Sequence, residues 1–171
     1  MAVIIGNGDI ASALREGGVD RDDLLFFAAG VSNSGEMRKS EYQREKDLLL
    51  AQDRDDWLIY FSSLCIFYSD SHYADHKFEI ERRVKEEFRH YTILRLGNII
   101  WGDNPHTLIN YLRAHPDAPL QDTYRYILDK EEFWHWLRLI PDFSCEMNIP
   151  GRRMLVKDIY QEFVVQCRQP A

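Results

Sequence analysis

The stretch Ala2-Val3-Ile4-Ile5-Gly6-Asn7-Gly8-Asp9-Ile10-Ala11 decides the fold. Its short apolar run, ending at a glycine, reads as a buried strand. The residues from Asp9 to Glu16 then read as a short helix, stopped by Gly17-Gly18. Between them Gly6-Asn7-Gly8-Asp9-Ile10-Ala11 has the form G-x-G-x-x-A. In such a turn the first glycine permits a tight bend, the second lets the backbone come close to a pyrophosphate, and the small Ala11 allows the helix to lie close on the strand. The helix N-terminus adds free N–H groups and a positive dipole end. An incidental glycine-rich turn is the blander reading. The strand before the motif and the helix after it favour phosphate binding.

Working outward, the apolar runs Leu24–Ala29, Trp57–Phe61 and Tyr91–Leu96 read as further buried strands, with a possible short strand over Tyr124–Leu128. Helices are expected over Ser40–Gln52, over Tyr73–Arg89 with an apolar stripe of Ile80, Val84 and Phe88, from Asn104-Pro105 onward, over Lys130–Leu139 and over Met154–Cys167. Strands alternating with helices, and strands that are continuous apolar runs, predict an α/β fold whose parallel sheet is covered on both faces.

The third strand ends in Ser62-Ser63, and the next helix opens with Tyr73-Ala-Asp-His-Lys77. Positions i and i+4 share one helix face. An ammonium beside a phenol favours the phenolate, lowering its pKa from about 10. A phenol so tuned can pass a proton to or from a substrate oxygen while hydride moves to or from a nicotinamide, with a serine hydroxyl orienting that oxygen. Alone, Y-x-x-x-K is common and usually marks a surface pair. Placement after Ser-Ser and downstream of the glycine turn is what gives it weight.

Taken together these residues resemble the extended short-chain dehydrogenase/reductase superfamily, in its NAD-dependent epimerase/dehydratase branch, over almost the whole chain. Phe26-Phe-Ala28-Ala29-Gly30 is similar to the family segment that passes along the cofactor. Tyr60-Phe-Ser-Ser-Leu-Cys-Ile-Phe67 is similar to the segment carrying the catalytic serine, which places that role on Ser63. Leu94-Arg-Leu-Gly-Asn-Ile-Ile-Trp-Gly102 resembles the strand and loop leading into the substrate site, and Tyr124–Asp129 and Met147–Ile149 resemble later substrate-domain segments. The resemblance implies a Rossmann-like doubly wound parallel sheet in one domain over residues 1–171, with a reduced substrate region from about residue 104. It implies catalysis by Ser63, Tyr73 and Lys77, and NAD or NADP held by Gly6, Asn7, Gly8, Asp9, Ile10, Ala28, Ala29 and Gly30. A nucleotide sugar would be met by Asn98 and, from the loop after the second strand, by Ser32 and Asn33, with Ser34 beside them. A homodimer through the Tyr–Lys helix and its neighbour is implied as well.

Four departures set this chain apart. Too few residues separate the first helix from the Leu24 strand to hold the family's second and third strands, so that edge of the sheet should be missing. Asp20, Asp22 and Asp23 precede a strand, and no acidic residue ends a second strand to hold the adenosine ribose. Ser63 and Tyr73 stand only ten positions apart, and the substrate region is short. A catalytically degenerate binding or assembly subunit is therefore the rival reading, and a reductase of small carbonyl metabolites a third.

Composition narrows the classes. Of 171 residues 45% are hydrophobic and 29% charged, which is ordinary globular usage. A net charge of −7 argues against nucleic acid, since phosphate binding needs clustered Lys and Arg. Arg82, Arg83 and Lys85, interleaved with Glu79, Glu81, Glu86 and Glu87, read as a solvated helix face, as does Gln43-Arg44-Glu45-Lys46. Three cysteines, Cys65, Cys145 and Cys167, with no C-x-x-C suggest neither a disulfide framework nor a zinc site and fit a reducing, cytoplasmic location. Met1–Ile5 is too short for a signal peptide, and no run approaches the ~20 apolar residues of a membrane helix. His72 and His76 share a helix face without an obvious third ligand, so no metal is expected. Trp134-His135-Trp136 reads as core or interface more than as a stacking platform.

Overall fold

The computed structural model describes residues 2–17 and 21–168. Met1, Gly18 and Asp20, which the sequence reading used, lie outside the described residues. The element order is β1 (Val3–Ile5), α1 (Asp9–Gly17), β2 (Leu24–Phe27), α2 (Lys39–Leu50), β3 (Trp57–Ser63), α3 (His72–Glu87), β4 (His90–Leu96), β5 (Asn98–Ile99), α4 (Leu108–Ala114), β6 (Tyr124–Leu128), α5 (Lys130–Leu137), β7 (Cys145–Ile149), β8 (Arg152–Leu155) and α6 (Val156–Tyr160). A five-stranded parallel sheet runs β1-β2-β3-β4-β7, and a three-stranded sheet runs β5-β6-β8.

The apolar runs are apolar because both faces of the main sheet are buried. One face carries Leu24, Phe26, Ile59, Phe61, Leu94 and Leu96 against Ala13 and Leu14 of α1 and Phe133 and Leu137 of α5. The other carries Leu25, Phe27, Leu58, Tyr60 and Ile93 against Leu49 of α2 and Ile80 and Val84 of α3. The stripe Ile80, Val84, Phe88 is fully used, each residue at most 4% exposed. Each such side chain contributes about 1.5–3 kcal/mol by leaving water. The helices thus divide between the two faces, the doubly wound arrangement the sequence implies.

The missing edge is also as expected: among the described residues β1 pairs only with β2. Its loss has a topological consequence. All of β1, β2 and β3 are neighbours and parallel, so the links through α1 and α2 step the same way across the sheet. Yet α1 packs on the face opposite to α2. The two βαβ units therefore have opposite hands, although nearly all such units share the right hand.

The C-terminal side departs from the sequence reading at three places. Asn104-Pro105 does not begin a helix; α4 starts at Leu108 behind a Thr107 cap whose side chain accepts from the Asn110 N–H, and Asn104 caps the preceding turn through the His106 N–H. The expected helix over Met154–Cys167 is present from Val156 onward, as α6 and the π and 3-10 turns that continue it to Arg168, but Met154 and Leu155 belong to strand β8, paired antiparallel with β6. Strand β7 was not anticipated: Cys145-Glu-Met-Asn-Ile149 alternates rather than running apolar, since Glu146 is engaged by Lys85 and Arg95.

Candidate active site

At the C-terminal ends of β1, β2, β3 and β4 lies a cleft of about 1040 Å³. Strand ends in an open parallel sheet are where such folds bind ligands. The cleft is lined by Gly6, Asn7, Gly8, Asp9 and Ile10 of the first turn, by Ala28, Ala29, Gly30 and Ser32 after β2, by Ser63, Tyr73 and Lys77, and by Asn98. Asn33 is not among its walls; the Asn33 side chain accepts from the Gly35 N–H within its own loop, and Ser34 faces the cleft instead.

Gly6 has φ +124°, and a Cβ there would run into the Ala28 carbonyl, so the bend and the close pass of β2 both require glycine. At Gly8 the place a Cβ would take is open. The Ser12 N–H donates to the Gly8 carbonyl (3.0 Å), so the helix begins here, and Gly8, Asp9 and Ile10 line the cleft. These features fit a pyrophosphate. Asp9 is committed sideways: its carboxylate accepts from the Asp103 and Asn104 N–H groups (both 3.2 Å), while Trp101 Nε1 donates to the Asp9 carbonyl. Gly102, at φ +85°, leaves room for that carboxylate. The glycine turn and the 101–104 loop are thereby tied together.

The Ser71 hydroxyl caps α3 by accepting from the Ala74 N–H (3.2 Å), which aims the first turn of the helix at the end of β3. Ser63 Oγ accepts from the Cys65 N–H (3.2 Å). Burial pushes the Tyr73 phenol above its usual pKa, the nearby Cys65, Glu45 and Tyr42 add to this, and the Ser63 hydroxyl pulls weakly the other way. The Lys77 ammonium lies over the Tyr73 ring and has its hydrogen-bond partners elsewhere. Its Nζ donates to Glu45 Oε1 (3.0 Å) and to the Tyr60 hydroxyl (3.1 Å), and lies 5.6 Å from the centre of the Tyr73 ring.

Glu45 is the residue the sequence hid. Within Gln43-Arg44-Glu45-Lys46, read as a solvated face, it is 0% exposed. It accepts from Lys77, from Tyr60 (2.7 Å) and from the Val31 N–H (2.7 Å), and shares a hydrogen bond with His76 Nε2 (2.9 Å). Burial opposes its charge, but Lys77, His76 and the Val31 N–H prevail and hold it below the carboxylate range. Arg44 pairs with Glu41, not Glu45, and donates to the Ala29 carbonyl at the cleft wall. The α3 face is likewise only partly solvated: Glu81 is buried and holds Arg95, while Lys85 reaches Glu146. His76 is turned inward onto Glu45, and no group of three metal-ligating side chains occurs among the described residues. Trp134 donates to the Ala13 carbonyl and packs in the core, not on the cleft. Ser62, also on the cleft, has a buried hydroxyl with no hydrogen-bond partner among the described residues. None of the described helices is long and apolar enough to cross a membrane.

No family model and no curated protein matches the sequence. Solved structures do. MoeE5, in complex with UDP-glucuronic acid and NAD, is 16% identical at a TM-score of 0.65, the match spanning 81% of this chain and 60% of that one. The Bordetella bronchiseptica enzyme WbmG, in complex with NAD, is 14% identical at 0.60, spanning 94% and 61%. A dTDP-4-dehydrorhamnose reductase from Clostridium acetobutylicum is 13% identical at 0.67, spanning 94% and 80%. This chain has the Rossmann-like fold of these neighbours, two of which are solved in complex with NAD, while spanning about 60% of the length of those two.

Proposed function

We propose that the chain is an NAD(P)-dependent oxidoreductase-type enzyme acting on a nucleotide sugar, by epimerase, dehydratase or keto-reductase chemistry. One observation carries this: a single cleft brings the glycine turn together with Ser63, Tyr73 and Lys77 at the strand ends. NAD- and UDP-sugar-bound neighbours share the fold and support the same reading. A bound nicotinamide supplies the hydride donor or acceptor. In this assignment Gly8 and the α1 N-terminus bind pyrophosphate, with Asp9 taken out of its way by the 103–104 N–H groups. Ala28, Ala29 and Gly30 line the path of the dinucleotide, and Ser32 and Asn98 face the sugar nucleotide. Ser63 Oγ holds the reacting oxygen, and Tyr73 Oη exchanges a proton with it. Lys77 and Glu45 fix the floor beneath.

The test is titration with NAD(H) and NADP(H), followed by nicotinamide fluorescence, and turnover of a nucleotide-sugar panel. Saturable binding, with activity falling at least about 10²-fold in Tyr73→Phe, is expected for a general acid/base. A rival reading, a degenerate member serving as a binding or assembly subunit, draws on the exposed β1 edge. No binding of either dinucleotide at millimolar concentration decides for it. Pairing through α2 and α3, the dimer the resemblance implies, is checked by light scattering.

A further inference from the structure

Two guanidiniums flank the β1 edge of the main sheet. Arg15 lies on α1, exposed, and its Nη2 donates to the Gly6 carbonyl (2.8 Å). Arg44 lies on α2, and its Nη1 donates to the Ala29 carbonyl (3.2 Å). The two acceptors are neighbours across the ends of β1 and β2: a Cβ on Gly6 would stand 2.9 Å from the Ala29 nitrogen. Helices α1 and α2 cover opposite faces of the sheet, so the arginines reach this place from its two sides. Arg15 pairs with no carboxylate among the described residues, and the adjacent Glu16 is taken by Lys130 (2.7 Å). Arg44 Nε is held by Glu41 (3.2 Å), while its Nη2 has no partner among the described residues. One turn on, Leu48 lines the cleft beside Arg44, so this side of α2 borders the ligand space.

We propose that Arg15 and Arg44 together take the 2′-phosphate of the dinucleotide, so that the cleft prefers NADP(H) to NAD(H). The proposal rests on the oxidoreductase reading above and names the dinucleotide it uses. In a complete sheet the strand beyond β1 ends in a carboxylate that bonds the ribose 2′-hydroxyl, whereas an arginine nearby accommodates a 2′-phosphate. Here β1 is the last strand among the described residues, and cations stand at its end. A neutral ribose diol gains little from two guanidiniums. A phosphate dianion gains charge-assisted bonds from each, in the fork geometry that suits its oxygens. The pyrophosphate has no need of them, because the glycine turn and the start of α1 supply its N–H donors. NAD(H), which lacks the extra phosphate, is left with the pyrophosphate and nicotinamide contacts. The Glu41–Arg44 pair does not stand in the way. Its side chains are 31% and 43% exposed, and a solvated pair of this kind holds its partners weakly. Leu48, 37% exposed, offers the adenine an apolar surface without a hydrogen bond, so charge rather than the base sets the preference.

Nicotinamide fluorescence and calorimetry read the preference without turnover. Wild type should bind NADPH at least about tenfold more tightly than NADH, the size of effect one hydrogen bond to a charged group produces. The fragment 2′,5′-ADP, which carries no nicotinamide, should displace NADPH at least about tenfold better than 5′-ADP. Added salt should shrink both gaps, because they rest on solvent-exposed charges. Arg15→Gln and Arg44→Gln keep a hydrogen-bonding side chain and remove the charge. Each should cut the NADPH-to-NADH affinity ratio at least about threefold, and the double variant should bring it to about one. Equal affinity of wild type for the two dinucleotides overturns the proposal and leaves the oxidoreductase reading standing. A parallel loss of both dinucleotides in the variants also overturns it, since that puts the arginines on the pyrophosphate. Binding of neither dinucleotide removes both readings, so the failures are told apart. If a variant does not fold, the wild-type comparison decides alone.

Discussion

A single buried carboxylate organises more of this molecule than any residue of the glycine motif. Glu45→Ala strips the partner from an ammonium, a phenol, an imidazole and a backbone N–H at once. Breaking a buried pair in this way costs about 3–5 kcal/mol, which chemical denaturation measures directly. The pH dependence follows in sign. The carboxyl is held below its usual range in the folded chain, so its contribution is complete above the ordinary value of about 4.3. Below that, the unfolded chain takes up a proton that the folded one refuses, and stability falls as the pH drops toward the folded pKa. Glu36, held at about 2 by Arg38, adds to the same limb. The acid limb of an unfolding titration between pH 4.5 and 2 should therefore be flatter in Glu45→Gln than in wild type. At this scale the sequence was legible where a residue's chemistry is visible in its neighbours. Gly6, Gly8, Ser63, Tyr73 and Lys77 all reach one cleft. Glu45 was illegible because Gln-Arg-Glu-Lys has the composition of a solvated helix turn. Only the tertiary approach of α3 turns its third residue inward.

Among the elements, α3 bears the heaviest demand, since it must place Tyr73 and Lys77 while burying Ile80, Val84 and Glu81. Its start depends on Ser71, whose hydroxyl accepts from the Ala74 N–H and bonds Ser69 Oγ. Ser71→Ala should cost about 1 kcal/mol, and should loosen the turn that carries Tyr73. Increased amide exchange at residues 72–75, with the rest of the helix unchanged, is the expected signature. Ile80→Ala, in the middle of the same helix and fully buried, should cost about 2–5 kcal/mol, read as a lowered midpoint in denaturant with an unchanged slope. The main-sheet strands β2, β3 and β4 and the helices over them were legible because a doubly covered sheet demands unbroken apolar runs. Strand β7 was not. It lies at the far edge, where one side meets solvent and Lys85 and Arg95 claim Glu146, so its pattern alternates. Strand β8 failed for a related reason: Met154 and Leu155 suit a helix face or a short strand equally, and pairing with β6 decides.

Across the whole molecule the cleft is asymmetric. At one end stand the closed strand ends, Tyr73, Lys77 and the unpartnered Ser62 hydroxyl. At the other, β1 is the last strand among the described residues, three residues long, with Val3 half exposed. In a complete dinucleotide-binding sheet that edge carries the strand whose terminal carboxylate grips the adenosine. Its absence should place most of the binding free energy on the pyrophosphate and the nicotinamide half. If so, removing adenosine from the ligand costs little. Reduced nicotinamide mononucleotide should bind within about tenfold of the whole reduced dinucleotide, a difference of at most about 1.4 kcal/mol, while AMP should compete only at millimolar concentration. Calorimetric titration of the three ligands makes the comparison. Micromolar competition by AMP would mean that adenosine is gripped by something other than a sheet edge. Arg44, standing at the cleft wall beside Ala29, is the first residue to examine for that role.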